Sequence, residues 1–353
     1  MLWFVPLERL QERYTAQMYN WVIDGFKRKN VAYDVIEGKA LTSSVETGEV
    51  LDAEGTNYYK ATQLMKICQL FKSGEIKDGD IFFIGDLWFP GIEMIRYIAT
   101  QKKMNQIWIA GVHYAGVFDP NDFVYKMREW AKYNETGWLQ LADWVFVGSE
   151  YHKGLILEGL ENEMNEFNAN IFPTGLVWDA DCVKSDIKQK ERIVIFPHRT
   201  DAEKNPELFF EVAKEVRKVA PDVRFVITSS RKSLSSNIPN FKVPDFIELK
   251  VGLTKQQYYD ELAKAKVLFS SAVQETFGYA LNEGLTLGCI PICPRRCSYP
   301  EVLEDDGRLL YDTVSEAVTE VLLALNSTVD WDVSRYTDKY SKNIDDMLEI
   351  MGL

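Results

Sequence analysis

Short apolar runs alternate with amphipathic segments along the first half of the chain. The runs have strand length and are bounded by polar or turn residues, at 2–6, 33–36, 80–85, 106–112 and 144–148. Apolar positions at helical spacing predict helices between them, at 15–29, 58–71, 91–100, 123–133 and 152–160. Strands that alternate with helices in this way are typical of a parallel sheet covered on both faces.

The same alternation starts again near residue 191. It predicts strands at 193–196, 224–228, 246–250, 267–270 and 290–293, and helices at 206–219, 255–265 and from Gly278 onward. The intervening segment 173–190 is charged and lacks a strong period, so it is predicted as the linker. We therefore expect an α/β protein with a domain at 1–175, a domain at 176–330 and a final helix in 331–353, with a ligand cleft between the carboxyl edges of two sheets.

Composition narrows the class of protein. The 353 residues are 46% hydrophobic and 26% charged, as in soluble globular proteins, and the net charge of −13 argues against a generally basic surface. The five cysteines form no CxxC pair and no signal peptide precedes them, which predicts a reducing cytoplasm. The most apolar run, 81–95, is interrupted by Asp86, Pro90 and Glu93, so no membrane span is expected.

The stretch 268–294 contains two carboxylates around a predicted helix start. Glu275 lies in the loop before the helix, Glu283 lies about one turn inside it, and Gly278 lies between them. Unpaired N–H groups at a helix start attract anions such as phosphate. The carboxylates beside them are therefore expected not to bind phosphate themselves but to accept hydrogen bonds from sugar hydroxyls. The alternative is a solvated helix residue at Glu283 and a loop charge at Glu275.

A second candidate is the loop FPHRTDAEKNP at 196–206. Arg199 and Lys204 follow a strand and precede a helix, which places both cations at the carboxyl edge of the sheet. Two cations there could hold a diphosphate group. The alternative is a surface loop in which they pair with Asp201 and Glu203.

The third candidate, GVHYAGVFD at 111–119, follows a strand of the first domain. His113 would face a ligand from the strand end, although a structural histidine is equally compatible with this position. Asp119 is an acceptor-side candidate or the cap of a turn. The D-x-D pairs at 78–80 and 179–181 fall in a turn and in the linker, and we interpret them as solvated loop acids rather than metal ligands.

The motifs HRTDAEK at 198–204, QETFGYALNEG at 274–284 and GCIPIC at 288–293 resemble those of retaining, nucleotide-sugar-dependent glycosyltransferases, the glycosyl transferases group 1 or family 4-like enzymes. The resemblance implies the GT-B fold: two Rossmann-like parallel-sheet domains that face a central cleft, with a C-terminal helix crossing back to the first domain. It implies no metal and no cofactor other than the nucleotide-sugar co-substrate.

The resemblance also assigns site residues. Glu275, which positions the donor sugar, and His113, which lies near the reacting carbon, would be catalytic. The implied donor-binding residues are Arg199 and Lys204 for the diphosphate, Phe277, Gly278 and Tyr279 for sugar and phosphate through the backbone, and Glu283 for the ribose.

The acceptor side departs from the family pattern. The glycine-rich loop that often follows the first strand is replaced by PLERLQERYT at 6–15, which makes Glu8 and Arg13 acceptor-side candidates together with Asp119. This opening, with FPHR, resembles a phage-associated branch in which some members glycosylate hydroxymethylated pyrimidines in DNA.

The resemblance thus predicts a cytoplasmic enzyme, in the host cytoplasm if phage-encoded, that transfers a sugar from a nucleoside diphosphate sugar such as UDP-glucose to an acceptor hydroxyl. Modified DNA is one candidate acceptor. The alternatives are a saccharide, lipid or small-molecule acceptor, or a non-catalytic binding module on the same fold.

Overall fold

The chain divides into two compact units in the computed structural model. The model describes residues 1–9, 14–41, 53–164, 166–229, 234, 236–327, 333–338 and 340–353. Unit 1 comprises Met1–Trp178 and Lys342–Leu353, and unit 2 comprises Asp179–Ser341. The division thus falls inside the predicted linker 173–190. In the described part of the chain, no helix is long and apolar enough to cross a membrane.

Unit 1 is built on a six-stranded sheet in which every pairing is parallel. The strands are β1 (Leu2–Val5), β2 (Tyr33–Val35), β3 (Ile81–Ile84), β4 (Trp108–Val112), β5 (Trp144–Phe146) and β6 (Ile171–Phe172), in the order β2-β1-β3-β4-β5-β6. The helices are α1 (Tyr14–Arg28), α2 (Ala53–Ser73), α3 (Ile92–Gln101), α4 (Arg128–Leu141) and α5 (Glu150–Glu163), followed at the C-terminus by α12 (Asn343–Ile350). All residues of β1 and β3 are buried, as expected for strands with helices on both faces.

Unit 2 contains a second six-stranded sheet, also parallel throughout. Its strands are β7 (Glu191–Phe196), β8 (Arg224–Thr228), β9 (Ile247–Lys250), β10 (Ala265–Phe269), β11 (Ile290–Pro294) and β12 (Leu310–Tyr311). Its helices are α6 (Pro206–Val219), α7 (Lys255–Lys264), α8 (Tyr279–Thr286), α9 (Tyr299–Val302), α10 (Val314–Asn326) and α11 (Ser334–Asp338). The bounds predicted for α6 and β8 are confirmed.

The strand order of unit 2 determines where a ligand site can form. The order is β12-β11-β10-β7-β8-β9, so the chain starts in the centre at β7, runs outward through β9 and then returns to the other side at β10. The loops after β7 and β10 therefore leave the sheet side by side in opposite directions. In open α/β sheets this switch point is where ligands bind.

The C-terminal segment differs from the prediction of one final helix in 331–353. Its described residues form two helices, α11 in unit 2 and α12 in unit 1, and the chain enters unit 1 at Lys342 rather than at 331. Just before α12 the backbone is not helical, since Lys342 has a φ of −146° and a ψ of 58°.

The predicted return of the last helix to the first domain is confirmed for α12. Its Asn343 side chain donates to the Leu176 carbonyl at 2.7 Å, and Asp345 pairs with Arg28 of α1 at 2.8 Å. The helices come close at Gly25, where an added Cβ would lie 2.6 Å from Ile344 Cγ2. Residue 25 therefore has to be glycine for α1 and α12 to pack in this way.

Two glycines of α5 provide a matched test of the packing in unit 1. A Cβ at Gly159 would lie 2.2 Å from the Phe118 ring, whereas a Cβ at Gly154 would meet nothing within 4 Å. We expect Gly159→Ala to destabilise the protein by about 1–3 kcal/mol through overpacking. Gly154→Ala should be neutral or stabilising by up to about 1 kcal/mol, because alanine favours the helix. Urea unfolding midpoints measure both, and equal midpoints would contradict the packing described.

Candidate functional site

The loops after β7 and β10 are joined to each other at the switch point of unit 2. The backbone N–H of Val273 donates to the Glu203 carbonyl at 2.9 Å, and the Ser271 hydroxyl donates to the carbonyls of Lys204 and Asn205 at 3.0 and 2.7 Å. The two loops contain the motifs at 198–204 and 274–284. Residues about 70 positions apart in the chain are thus brought into one site.

Lys204 and Glu275 form the centre of this site. Lys204 is 9% exposed, and its Nζ donates to Glu275 Oε2 at 3.2 Å and to the Gln274 carbonyl at 2.7 Å. Glu275 Oε1 accepts from the Gly278 backbone N–H at 3.0 Å. Burial alone would raise the pKa of Glu275, but the charge of Lys204 and the hydrogen bonds from Lys204 and the Gly278 N–H together hold it below its ordinary value. Glu275 is therefore an ionised carboxylate at neutral pH.

Arg199 differs from Lys204 in its environment. Its side chain is 46% exposed, its Nη2 lies 2.7 Å from Glu203 Oε1, and its Nε lies 3.8 Å from Asp201 Oδ2. The salt-bridged loop considered as an alternative thus describes Arg199 in this structure, whereas Lys204 points inward to Glu275. An exposed pair of this kind is worth about 0–1 kcal/mol, so a ligand anion could readily replace Glu203 as the partner of Arg199.

The helix start beside Glu275 has the expected geometry. Gly278 has a φ of +82° and a ψ of 63°, in the left-handed region that favours glycine, and it caps α8. The Phe277 side chain is buried between the rings of Tyr279 and Tyr340, at centroid distances of 5.3 and 5.4 Å. Phe277 thus anchors the loop with its side chain and leaves its backbone for any contact with a ligand.

Glu283 is not a solvated helix residue. It is buried in α8, and its Oε1 accepts hydrogen bonds from Lys255 Nζ and, at 3.4 Å, from the Tyr259 hydroxyl. Lys255 also lies over the rings of Tyr258 and Tyr259, 4.9 Å from each centroid. The carboxylate is therefore held in one orientation by a cation and a phenol.

Several buried polar atoms at the same sheet edge have no hydrogen-bond partner among the described residues. His198 Nε2, Thr228 Oγ1 and Ser298 Oγ are of this kind. His198 follows β7, Thr228 ends β8 and Ser298 follows β11. His198 lies in the motif at 198–204, but the sequence alone did not indicate a role for it. The burial of its side chain, which the sequence does not show, is what makes it a candidate site residue. Because buried polar groups are normally paired, these three atoms are positions at this sheet edge where a water or a ligand could bind.

Unit 2 also matches a family model. Residues 179–343 match the model described as glycosyl transferases group 1. Unit 2 is a glycosyl transferases group 1 domain. The predicted resemblance is confirmed for this part of the chain, which contains the Lys204–Glu275 pair.

Solved structures extend the likeness to both units. Trehalose-6-phosphate synthase OtsA superposes with a TM-score of 0.64 at 10% identity, over 99% of this chain and 97% of that one. The pneumococcal O-GlcNAc transferase GtfA superposes with a TM-score of 0.56 at 15% identity, over 83% of this chain and 60% of that one. At these identities the likeness shows the fold, and the predicted GT-B fold class is confirmed.

A curated relative can also be compared by sequence. The tRNA-queuosine alpha-mannosyltransferase of Drosophila melanogaster is 30% identical over 246 residues, which is 58% of this chain and 62% of the relative. The match therefore leaves more than a third of the relative's length uncovered.

In unit 1, His113 belongs to a closed chain of hydrogen bonds. Its side chain is 0% exposed, with Nδ1 3.2 Å from His152 Nε2 and Nε2 3.2 Å from Glu135 Oε1. The Gly148 N–H donates to His152 Nδ1 at 3.4 Å, and the Val117 N–H donates to Glu135 Oε2 at 3.0 Å. Burial and the neighbouring His113 hold the pKa of His152 well below its usual range. Both ring nitrogens of His113 are thus engaged inside unit 1.

The acceptor-side candidates differ in how far the structure describes them and in their hydrogen bonds. Asp119 is buried, and its Oδ1 accepts from the Asn121 N–H at 2.9 Å, which is the turn cap considered as an alternative. Its Oδ2 has no partner among the described residues. Nearby, burial raises the pKa of Asp122 to about 7. Glu8 is buried, and Arg13 lies outside the described residues.

The interpretation of the D-x-D pairs as solvated loop acids is wrong for one carboxylate of each. Asp80 is buried and accepts from Trp3 Nε1 at 2.7 Å and from the Lys77 N–H at 2.9 Å. Asp179 is buried and accepts from the Asp181 N–H at 3.0 Å. Backbone and side-chain donors in these turns explain the burial, which the turn-rich sequence did not reveal.

The burial of His198 predicts that the folding stability of the group 1 domain falls at acidic pH. Burial, assisted by Lys204 and Arg199, lowers the pKa of His198 from 6.5 to about 3. Between these values the unfolded chain binds a proton that the folded chain does not, so stability falls as the pH drops below 6.5. From about pH 7 to about pH 5 the wild type should lose about 2 kcal/mol more than His198→Gln. Urea unfolding at both pH values measures this, and equal losses would contradict the assignment.

Proposed function

We propose that the chain is a retaining, metal-independent glycosyltransferase that moves a sugar from a nucleoside diphosphate sugar, expected to be a UDP-sugar, to an acceptor hydroxyl. The observation that carries the proposal is the Lys204–Glu275 pair at the switch point of a group 1 domain, beside the start of α8. The catalytic assignment follows from the chemistry of these groups.

The cations and the helix start serve the diphosphate. As the bond from the sugar carbon to the phosphate oxygen breaks, the leaving diphosphate gains negative charge. Arg199, which is exposed, can exchange Glu203 for a phosphate oxygen, while Lys204 and the N–H groups at the start of α8 add positive potential. Backbone at Gly278 and Tyr279 would approach the ligand closely because Gly278 has no side chain.

The carboxylates serve the hydroxyl groups. Glu275 remains ionised and is oriented by Lys204 and Gly278, so it can accept hydrogen bonds from the donor sugar. Glu283, buried in α8, is assigned to the ribose. In transfer with retention the new bond forms on the face that the diphosphate leaves, and the acceptor proton passes to the departing phosphate oxygen. The reaction therefore needs no protein base on the opposite face.

His113 is assigned a positioning role rather than direct contact with the sugar. Both of its ring nitrogens are engaged by His152 and Glu135, and Glu135 also holds the backbone at Val117. The network would fix the segment 113–117 after β4. Glu8, Arg13 and Asp119 remain the proposed acceptor-side residues.

The acceptor is proposed to be a hydroxyl group of a modified nucleoside in a nucleic acid. The support is the curated relative, whose name states that it mannosylates queuosine in tRNA. The phage-branch resemblance points to hydroxymethylated pyrimidines in DNA instead. The sequence match favours tRNA, and DNA becomes the second arm of the test.

Removal of either charged group at the switch point should abolish transfer. We expect Arg199→Ala and Glu275→Gln each to lower the rate by about 100-fold or more, because both act on the leaving group or the sugar in the transition state. Radiolabelled sugar transfer measures this, and circular dichroism checks the fold. Arg224→Ala is the matched control, since Arg224 starts β8 at the opposite edge of the sheet and pairs with Glu248 and Glu191. Near-normal turnover in either site variant would overturn the assignment.

The acceptor prediction is tested with UDP-, GDP- and ADP-sugars against three acceptors. We expect label to enter queuosine-containing tRNA, and not unmodified tRNA or DNA containing hydroxymethylated pyrimidines. Label in the DNA alone would support the phage branch. Donor that is bound but neither transferred nor hydrolysed would indicate a binding module. Repeating the assay in excess EDTA checks metal independence, which loss of activity would contradict.

A further inference from the structure

His198 occupies an unusual position in the donor side of the site. It lies two residues after β7 and directly before Arg199, and its side chain is only 7% exposed. The ring packs edge-on against Phe196, with the centroids 5.1 Å apart. Its Nε2 has no hydrogen-bond partner among the described residues.

A structural explanation leaves this nitrogen unaccounted for. A buried polar atom without a partner costs free energy, so a histidine retained only for packing would pair both nitrogens or be replaced by an apolar ring. The histidines of unit 1 show the paired case, because His113 and His152 each use both nitrogens. The aromatic contact with Phe196 requires the ring but not the Nε2 atom.

The unpaired atoms lie at one edge of one sheet. Thr228 is the last residue of the neighbouring β8, and its Oγ1 also lacks a partner among the described residues. The same is true of the Oγ of Ser298, which follows β11. The backbone N–H of Ser298 donates to the Glu275 carbonyl at 3.2 Å, which ties this loop to the candidate site. A ligand at the switch point could supply partners for these atoms, which have none among the described residues.

We propose that His198 is a donor-binding residue whose neutral imidazole donates a hydrogen bond from Nε2 to an oxygen of the bound diphosphate. This assignment rests on the proposed function and adds a residue to it. The family resemblance assigns roles to Arg199 and Lys204 of the same motif but none to His198.

The charges around His198 favour a diphosphate oxygen over a sugar hydroxyl. Lys204, which has the largest effect of the neighbouring charges, and Arg199 lower the pKa of the ring, whereas the Glu275 carboxylate raises it. The two cations together outweigh the carboxylate, so His198 lies in a positive potential that would attract the diphosphate. Burial and these cations lower its pKa to about 3, so the ring is neutral at physiological pH. A neutral N–H group adds a directional bond without placing a third cation beside Lys204 and Arg199.

The test compares nucleoside diphosphates with the corresponding nucleosides by calorimetry, so no turnover is needed. His198→Phe keeps the ring against Phe196 but removes the N–H group. We expect it to weaken diphosphate binding by about tenfold or more, as for a lost hydrogen bond to a charged group, and to leave nucleoside binding unchanged. His198→Gln, whose side-chain amide can donate from a similar position, should recover most of the lost affinity.

Each outcome separates this inference from the proposed function. If the wild type binds none of UDP, GDP and ADP, the proposed function fails. If the wild type and His198→Phe bind the same diphosphate equally well, only the role of His198 is overturned. Equal weakening in His198→Phe and His198→Gln, or weakening of nucleoside binding by the same factor, would also overturn hydrogen-bond donation. Should His198→Phe fail to fold, His198→Asn, whose amide is too short to reach the Nε2 position, replaces it with the same expectation.

Discussion

The charge pair between Lys204 and Glu275 is the interaction on which the candidate site depends. It joins the loop after β7 to the loop after β10, at the switch point where these two loops leave the sheet of unit 2 in opposite directions. Lys204 helps to hold the pKa of the buried Glu275 carboxyl below its ordinary value, since an unpaired buried carboxylate would be neutralised instead. The backbone bond from Val273 to Glu203 fixes the same two loops independently of charge. Two independent kinds of contact thus hold these loops together.

Under the proposed function, a leaving diphosphate requires groups that are already in place. Lys204 and Glu275 are held by several hydrogen bonds, whereas Arg199 is exposed and, among the described residues, pairs with carboxylates of its own loop. The site therefore combines fixed groups with one cation that is free to change partners. Unit 1 has a counterpart without exposed groups, the buried chain from His152 through His113 to Glu135, which fixes the segment after β4.

The pattern of apolar runs was enough to predict most strands and helices, because strands buried on both faces need continuous apolar residues and surface helices need one apolar face. It failed at the C-terminus, where one helix was predicted within 331–353 but the non-helical backbone at Lys342 separates α11 from α12. The motif residues Lys204 and Glu275 were predicted, while Glu135 and His152 were not. Their partner His113 is 22 and 39 residues away, and no local pattern indicates such pairing.

The sequence by itself determined the α/β class, the two sets of strands and helices, and the residue types at the ends of β7 and β10. These follow from local periodicity and from motif spacing, which act within a few turns of chain. Only the tertiary structure decided which charges are paired, that Lys204 turns inward while Arg199 stays exposed, and that His198 is buried with one nitrogen that no described residue pairs. Burial and pairing arise when distant segments meet at one sheet edge, and the strand order that brings them together is not encoded in any single segment.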